Sequence, residues 1–277
     1  MRTQTMDFSA DTTHGLIEST ATAVAEEFGP AYWREKEAEG EFAQAFWDEL
    51  AAADFHGLLI PEAYGGAEMG MQEMGLAMET LCAEGCGMAG TWYLVLTAGM
   101  AALGIRDYGT DEQKERFLPD IAAGDRNFSI GITEAKAGTN TLNVETRAEK
   151  DGNEYILNGE KAWITFSDIA DNMILVTRTT PRSDVARPTD GISLFILDMD
   201  DSGIDTSPIP KHGINYSNSC EVFIDDVRVP EENLVGNRGA GFLQQMQFFD
   251  ETRTAVAAQG VGIARGAAER ALEYAEE

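Results

Sequence analysis

The chain has 277 residues, 43% hydrophobic and 9% aromatic, and a net charge of −28. That composition excludes a disordered chain, and the charge excludes nucleic acid and anionic membrane surfaces as partners, since both repel it. No apolar run reaches the roughly 18 residues a spanning helix needs. Residues 1–11 lack the apolar centre of a signal peptide, so a cytoplasmic location is the default expectation.

Six lysines against fourteen arginines, within so large an acidic excess, suggest a protein that stays hydrated in concentrated salt, where self-repulsion is screened. Cys82, Cys86 and Cys220 make no disulfide framework. Cys82 and Cys86 are four apart and read as a buried, reduced pair on one helix face. With His14, His56 and His212 scattered, no metal site is expected.

In chain order, F-A-Q-A-F-W-D-E-L-A-A-A-D-F repeats apolar positions at Phe42, Phe46, Leu50 and Ala53, a helical spacing with Gly57 as its stop. L-L-I-P-E-A-Y-G-G then reads as a loop. Residues 71–104, rich in Met, Leu and Ala, read as buried helices. T-D-E-Q at 110–113 is a capping box opening a helix whose Phe117, Leu118 and Ile121 face inward. Near residue 127 the period changes to short strands, with hairpin turns predicted at Asp151-Gly152 and Asn158-Gly159. After Gly241 a long helix runs to the end, too long to stand without partners. The expected fold class is α+β and multidomain: a helical domain over 1–126, an antiparallel β domain over 127–240, and from 241 to 277 the first helix of a bundle.

The glycine-rich run G-N-R-G-A-G at 236–241 precedes a helix but lacks dinucleotide-binding spacing and context, and reads as a flexible interdomain hinge. No nucleophile elbow or serine triad can be assembled. I-G-I-T-E-A-K-A-G-T-N at 130–140 reads from its residues either as a surface loop or as a cradle. Trp163 is by itself an ordinary β-domain core tryptophan. Asp250 and Arg253, three apart on the long helix, share a face and suit a surface ion pair.

Six segments in order carry a resemblance: G-L-L-I-P-E-A-Y-G-G at 57–66, D-E-Q-K-E-R-F-L-P from 111, I-T-E-A-K-A-G-T-N, N-G-E-K-A-W-I-T, D-D-V-R-V-P-E-E-N-L-V-G at 225–236, and F-D-E-T-R at 249–253. Over nearly its whole length the chain resembles the acyl-CoA dehydrogenase family of flavoenzymes. The resemblance implies FAD held between the β domain and a C-terminal helical bundle, in a dimer or tetramer. It implies α,β-dehydrogenation of an acyl-CoA thioester to a trans-2-enoyl-CoA, as in fatty-acid β-oxidation, with an electron-transfer flavoprotein as acceptor. By the match, the backbone of Ile130 and Ile132 and the Thr133 group face the flavin. Gly138 allows close approach, and Thr139 reaches the pyrophosphate and lines the acyl-CoA channel. Trp163, Ile164 and Thr165 form the second cofactor group, and Phe249, Asp250 and Arg253 approach CoA.

The match departs in three places. Ala135, Thr139 and Asn140 replace the family's Pro, Ser and Asp, retaining a hydroxyl on a less rigid loop. Asn215 in G-I-N-Y-S replaces an arginine. No Y-E-G segment with the family's catalytic glutamate is present, so no catalytic residue is assigned and that glutamate is expected beyond Glu277. The alternative base position is occupied by Thr252, and Glu251 lies about 100° around the helix from it. The expectation is therefore a C-terminally incomplete acyl-CoA dehydrogenase. The alternatives are a non-catalytic FAD- or acyl-CoA-binding subunit of a heteromeric assembly, or an acyl-CoA oxidase on the same fold.

Overall fold

A computed structural model describes residues 12–277. Residues 1–11, where the signal-peptide pattern was sought, lie outside the described residues. Seven α-helices come first: α1 (Thr12–Glu27), α2 (Pro30–Glu39), α3 (Gln44–Ala52), α4 (Met71–Leu81), α5 (Gly87–Leu94), α6 (Ala102–Tyr108) and α7 (Asp111–Ala122).

The apolar spacing of α3 buries Phe46, Trp47 and Leu50, but the helix stops at Ala52 rather than at Gly57. Asp54 takes a left-handed φ of 60° and Phe55–Gly57 form one 3₁₀ turn. That turn carries Phe55 and His56 under the helix, with the His56 ring 4.1 Å from the Trp47 ring. Burial of two rings outweighs continuing the helix by one more turn. The buried run from 71 is helical, interrupted by π-helical turns at Cys82–Cys86 and Val95–Ala101. Cys82 and Cys86 are free and buried there.

α7 starts on the expected capping box: Gln113 N donates to Thr110 Oγ1 at 3.2 Å, and Thr110 N to Gln113 Oε1 at 3.1 Å. The Gln113 amide also donates to the carbonyls of Glu232 and Leu234, tying this helix to the strand region.

The strands are β1 (Phe128–Gly131), β2 (Arg147–Asp151), β3 (Glu154–Thr165), β4 (Asn172–Arg178), β5 (Ile192–Asp198), β6 (Ile204–Pro208), β7 (Ser219–Pro230) and β8 (Leu234–Val235). They form one sheet in the order β6-β7-β3-β2-β4-β5-β8, with β1 added parallel to β4. One face packs on the helices; the other encloses a second core around Tyr155, Leu157, Leu175 and Phe195.

Asp151-Gly152 makes the predicted hairpin, with Asp151 opposite Glu154. Asn158-Gly159 does not. It lies inside β3 as a bulge against β7. Gly159 has φ +156°, and a Cβ there would stand 2.5 Å from Thr146 Oγ1. The glycine serves close approach of a neighbouring strand, a use that a turn dipeptide does not reveal.

The final helix, α8, runs from Gly241 to Glu276, 36 residues. It packs along α4 and both π-helical turns, with Thr252 Oγ1 donating to Gly99 O at 3.0 Å and Gln259 reaching Thr91. The segment before it is no flexible hinge. Gly191 N donates to Gly239 O, Gly239 N to Ser193 Oγ, and a Cβ on Gly241 would meet the Ser193 backbone at 2.8 Å. Gly239 and Gly241 pin the chain against β5, whereas Gly236 makes room for the Gln244 side chain of α8.

Candidate cofactor-binding site

β1 ends at Gly131, and the chain leaves the sheet through Ile132, Thr133 and Glu134. The departing segment is stitched at once to β3: Ala162 N donates to Thr133 O at 2.9 Å. Beside this bond Lys161 Nζ donates to Ile132 O (3.1 Å), to Val176 O (2.7 Å) and to Glu134 Oε1 (2.7 Å). The Glu134 carboxylate also accepts from Glu145 N, Thr146 N and Thr146 Oγ1.

Both charges are shut away from water. Burial pushes the Lys161 ammonium down to about 8, only partly opposed by Glu134. Burial raises the Glu134 carboxyl, but Lys161 and the surrounding donors outweigh it and hold the group below the usual carboxylate range. Sequence reasoning missed this pair, although both residues stand inside the quoted segments.

The next turn of β3 is a second bulge, between Lys161 and Ile164. It forces Trp163 to φ +61°, a left-handed conformation unfavourable for a bulky residue. The indole is thereby thrown outward and is 58% exposed. Ile164 points the other way, into the sheet core, so only its backbone faces the Trp163 side. Phe166, also left-handed, turns back and stacks on Tyr93 at 4.8 Å.

Of the opening segment, Ile130 is buried and Ile132 and Thr133 half-buried, whereas Gly138 and Thr139 are exposed. Among the described residues, the hydroxyls of Thr133, Thr139 and Thr165 have no hydrogen-bond partner. A Cβ on Gly138 would meet nothing within 4 Å, so the chain's own packing does not require that glycine. An exposed indole on strained backbone, three free hydroxyls and an open glycine fit a flat ring with polar edges and a phosphate tail. Thr165 also lines a pocket of about 180 Å³ with Met88, Trp92, Lys211, Ser217 and Ser219.

The α8 residues stand apart. Arg253 Nη1 pairs with Asp250 Oδ1 at 2.7 Å, both well exposed, and the guanidinium lies 5.8 Å from the Phe249 ring. No hydrogen bond or ion pair among the described residues joins them to the cradle. Thr252 is buried and its hydroxyl is spent on Gly99 O and Phe248 O, while Glu251 pairs with Arg106. Asn215, at the family's arginine position, clamps Glu37 of α2 through its backbone N (2.6 Å) and its amide (2.8 Å).

Comparison with known proteins matches the model of the acyl-CoA dehydrogenase N-terminal domain over residues 11–125 and that of the middle domain over residues 129–227. The chain belongs to the acyl-CoA dehydrogenase family. It is 32% identical over 273 residues to the acyl-CoA dehydrogenase FadE12 of Mycobacterium tuberculosis, covering 98% of this chain and 68% of that protein. The butyryl-CoA dehydrogenase of Megasphaera elsdenii superposes with a TM-score of 0.90 at 32% identity, covering 97% of this chain and 70% of that one. The caffeyl-CoA reductase-Etf complex subunit CarC of Acetobacterium woodii is 33% identical over 244 residues, 88% of this chain and 63% of that subunit. Acyl-CoA dehydrogenase relatives thus include a protein named for reduction.

Proposed function

We propose that this acyl-CoA dehydrogenase family chain binds FAD in the cradle between Ile130–Thr139 and Trp163–Thr165, and serves the α,β-dehydrogenation of an acyl-CoA thioester to a trans-2-enoyl-CoA. The observation that carries the reading is the lock between the two segments: the Thr133–Ala162 backbone bond flanked by the buried Lys161–Glu134 pair. It fixes the free threonine hydroxyls and the outward Trp163 in one rigid frame. When bound, FAD would supply the hydride acceptor that no side chain can replace. Trp163 would cover one face of the ring, Thr133 and Thr165 would donate to its polar edge, and Thr139 would meet the pyrophosphate. Phe249, Asp250 and Arg253 would meet CoA by breaking the exposed Asp250–Arg253 pair, a small cost at so wet a position.

Transfer of electrons to an electron-transfer flavoprotein, and assembly into dimers or tetramers, extend the same proposal. The relation to a caffeyl-CoA reductase-Etf subunit supports the acceptor. The deciding experiment is to add FAD to the purified chain at several salt concentrations, record the visible spectrum, and then add butyryl-CoA without oxygen. A flavin spectrum that bleaches supports the reading. No flavin uptake at any salt concentration overturns it.

A further inference from the structure

Where α2, the turn before α5 and the loop between β6 and β7 meet, the chain leaves an open cavity of about 480 Å³. Its apolar lining includes Trp33, Met88, Ile214 and Tyr216, and its charged members are Arg34 and Glu37. Met88 and Ile214 also line the pocket that holds Thr165, so they stand between the two spaces. The cavity is next to the cradle but outside it.

Its wall is built under constraint. Ile214 holds φ +57°, a left-handed conformation that a β-branched residue adopts only when its surroundings impose it. Ile214 O accepts from Ser217 N at 3.2 Å and from the Lys211 ammonium. The next residue, Asn215, is clamped to Glu37 of α2 through its backbone N and its amide. This bolts the strained loop to α2, with Ile214 and Tyr216 lining the space between them. Across it Met88, large and apolar, is 39% exposed, and the Trp33 ring lies 5.4 Å from that of Tyr216.

The polar groups of the cavity are unequal. Asn215 occupies both Glu37 oxygens. Among the described residues, Arg34 has no hydrogen-bond or ion-pair partner and the Tyr216 hydroxyl has no hydrogen-bond partner. Burial, followed by the Glu37 charge, pushes the Tyr216 pKa up, so its hydroxyl keeps its proton. What is left unused is one guanidinium fork and one hydroxyl beside apolar walls. Such a fork matches the two oxygens of a carboxylate. A single free cation beside Glu37 suits one carboxylate and not the several charges of a diphosphate.

We propose that this cavity binds a small amphipathic carboxylate, an apolar acid without CoA, whose head pairs with Arg34 and Tyr216 and whose tail covers Trp33, Met88 and Ile214. Burial of the tail supplies the affinity, and Arg34 supplies the preference for an acid over a neutral analogue. The site does not depend on the flavin reading.

The test titrates octanoate, hexanoate and octanol into the full chain by calorimetry, over a KCl range in which the far-ultraviolet circular dichroism is constant. The titrations are repeated with Arg34→Gln and Met88→Glu; both side chains are exposed, so the fold is retained. Octanoate is expected to bind at one equivalent, about tenfold more tightly than octanol. It should bind roughly fifteenfold more tightly than hexanoate, about fourfold per methylene. Arg34→Gln should weaken octanoate about tenfold and leave octanol unchanged, whereas Met88→Glu should weaken both. No octanoate binding at any salt concentration overturns the site. So does binding that neither substitution changes, or that butyryl-CoA displaces, because either result puts the acid elsewhere. Equal losses of octanoate and octanol in Arg34→Gln overturn the carboxylate assignment. A chain that binds octanoate through Arg34 but takes up no flavin keeps this site and loses the dehydrogenase reading.

Discussion

Lys161 Nζ lies 2.7 Å from Glu134 Oε1 with both side chains almost wholly withdrawn from solvent, and this contact joins the two segments that make the cradle. A buried ion pair offsets its own desolvation only when every remaining donor and acceptor is met. Here all are: Lys161 serves two carbonyls besides Glu134, and Glu134 receives three further donors. The arrangement specifies one geometry for the cradle more than it adds net stability.

Replacing Lys161 with Met would leave a carboxylate buried without a cation, at a cost of about 3–5 kcal/mol. Adding Glu134→Gln, which keeps an acceptor for the Glu145 and Thr146 amides, should recover much of that loss in urea unfolding. The pH dependence has two parts. The depressed Glu134 carboxyl contributes stability present above the ordinary carboxylate range and lost as pH falls through its lower folded value. The depressed Lys161 ammonium means that from about 8 up to the ordinary lysine range the unfolded chain holds a proton the native chain has released. Stability therefore rises with pH across that window. A Lys161→Met variant within 1 kcal/mol of the parent would sink this account.

His56 sets a second pH signature. It is fully buried between α3 and its 3₁₀ turn, with Nε2 3.2 Å from Trp47 O, and burial pulls its pKa down to about 4. As pH falls below about 6.5 the unfolded chain takes up a proton that the native ring refuses until about 4. Stability is thus lost through that window, by on the order of 3 kcal/mol in full. Nuclear magnetic resonance of the imidazole should show no titration above pH 5 in the folded chain. A midpoint near 6.5 would contradict the burial argument.

How much of this was legible beforehand differs by kind of signal. The α3 and α7 faces, the Thr110 capping box and the Asp151-Gly152 turn follow from local spacing, because each is decided within a few residues. Asn158-Gly159 carries the same local signature as a turn, yet its glycine answers Thr146 on another strand. Likewise the run 236–241 reads as slack when Gly239 and Gly241 in fact serve contact with β5. The cradle segments were found through resemblance, since free hydroxyls and an outward indole leave no periodic trace. The pair Lys161–Glu134 joins residues 27 positions apart, which spacing alone does not report.

The two glycines near the cradle should behave oppositely. Gly159→Ala places a Cβ 2.5 Å from Thr146 Oγ1 and 2.7 Å from Thr146 Cα, and Thr146 is itself a donor to Glu134. The overlap should cost about 2–3 kcal/mol, read as a lower urea midpoint. Gly138→Ala meets no atom of the chain and should leave the midpoint unchanged while weakening FAD uptake. Equal effects of the two on stability would count against the claim that Gly138 is kept open for a ligand.

Trp163 tests the cradle with the signs of stability and binding opposed. Its left-handed backbone costs about 1 kcal/mol or more, and a side chain 58% exposed recovers little of it by burial. Trp163→Gly removes the strain at a position where glycine is comfortable. The melting temperature of the chain without flavin should therefore stay level or rise. FAD affinity should fall by about tenfold, since an aromatic stacking contact is worth 0.5–1.5 kcal/mol beyond the area it covers. Trp163→Phe, which keeps a ring over the site, should restore most of the affinity. A destabilised Trp163→Gly chain with undiminished FAD binding would return Trp163 to the role of a packing residue, and the strain at φ +61° would then have no functional account.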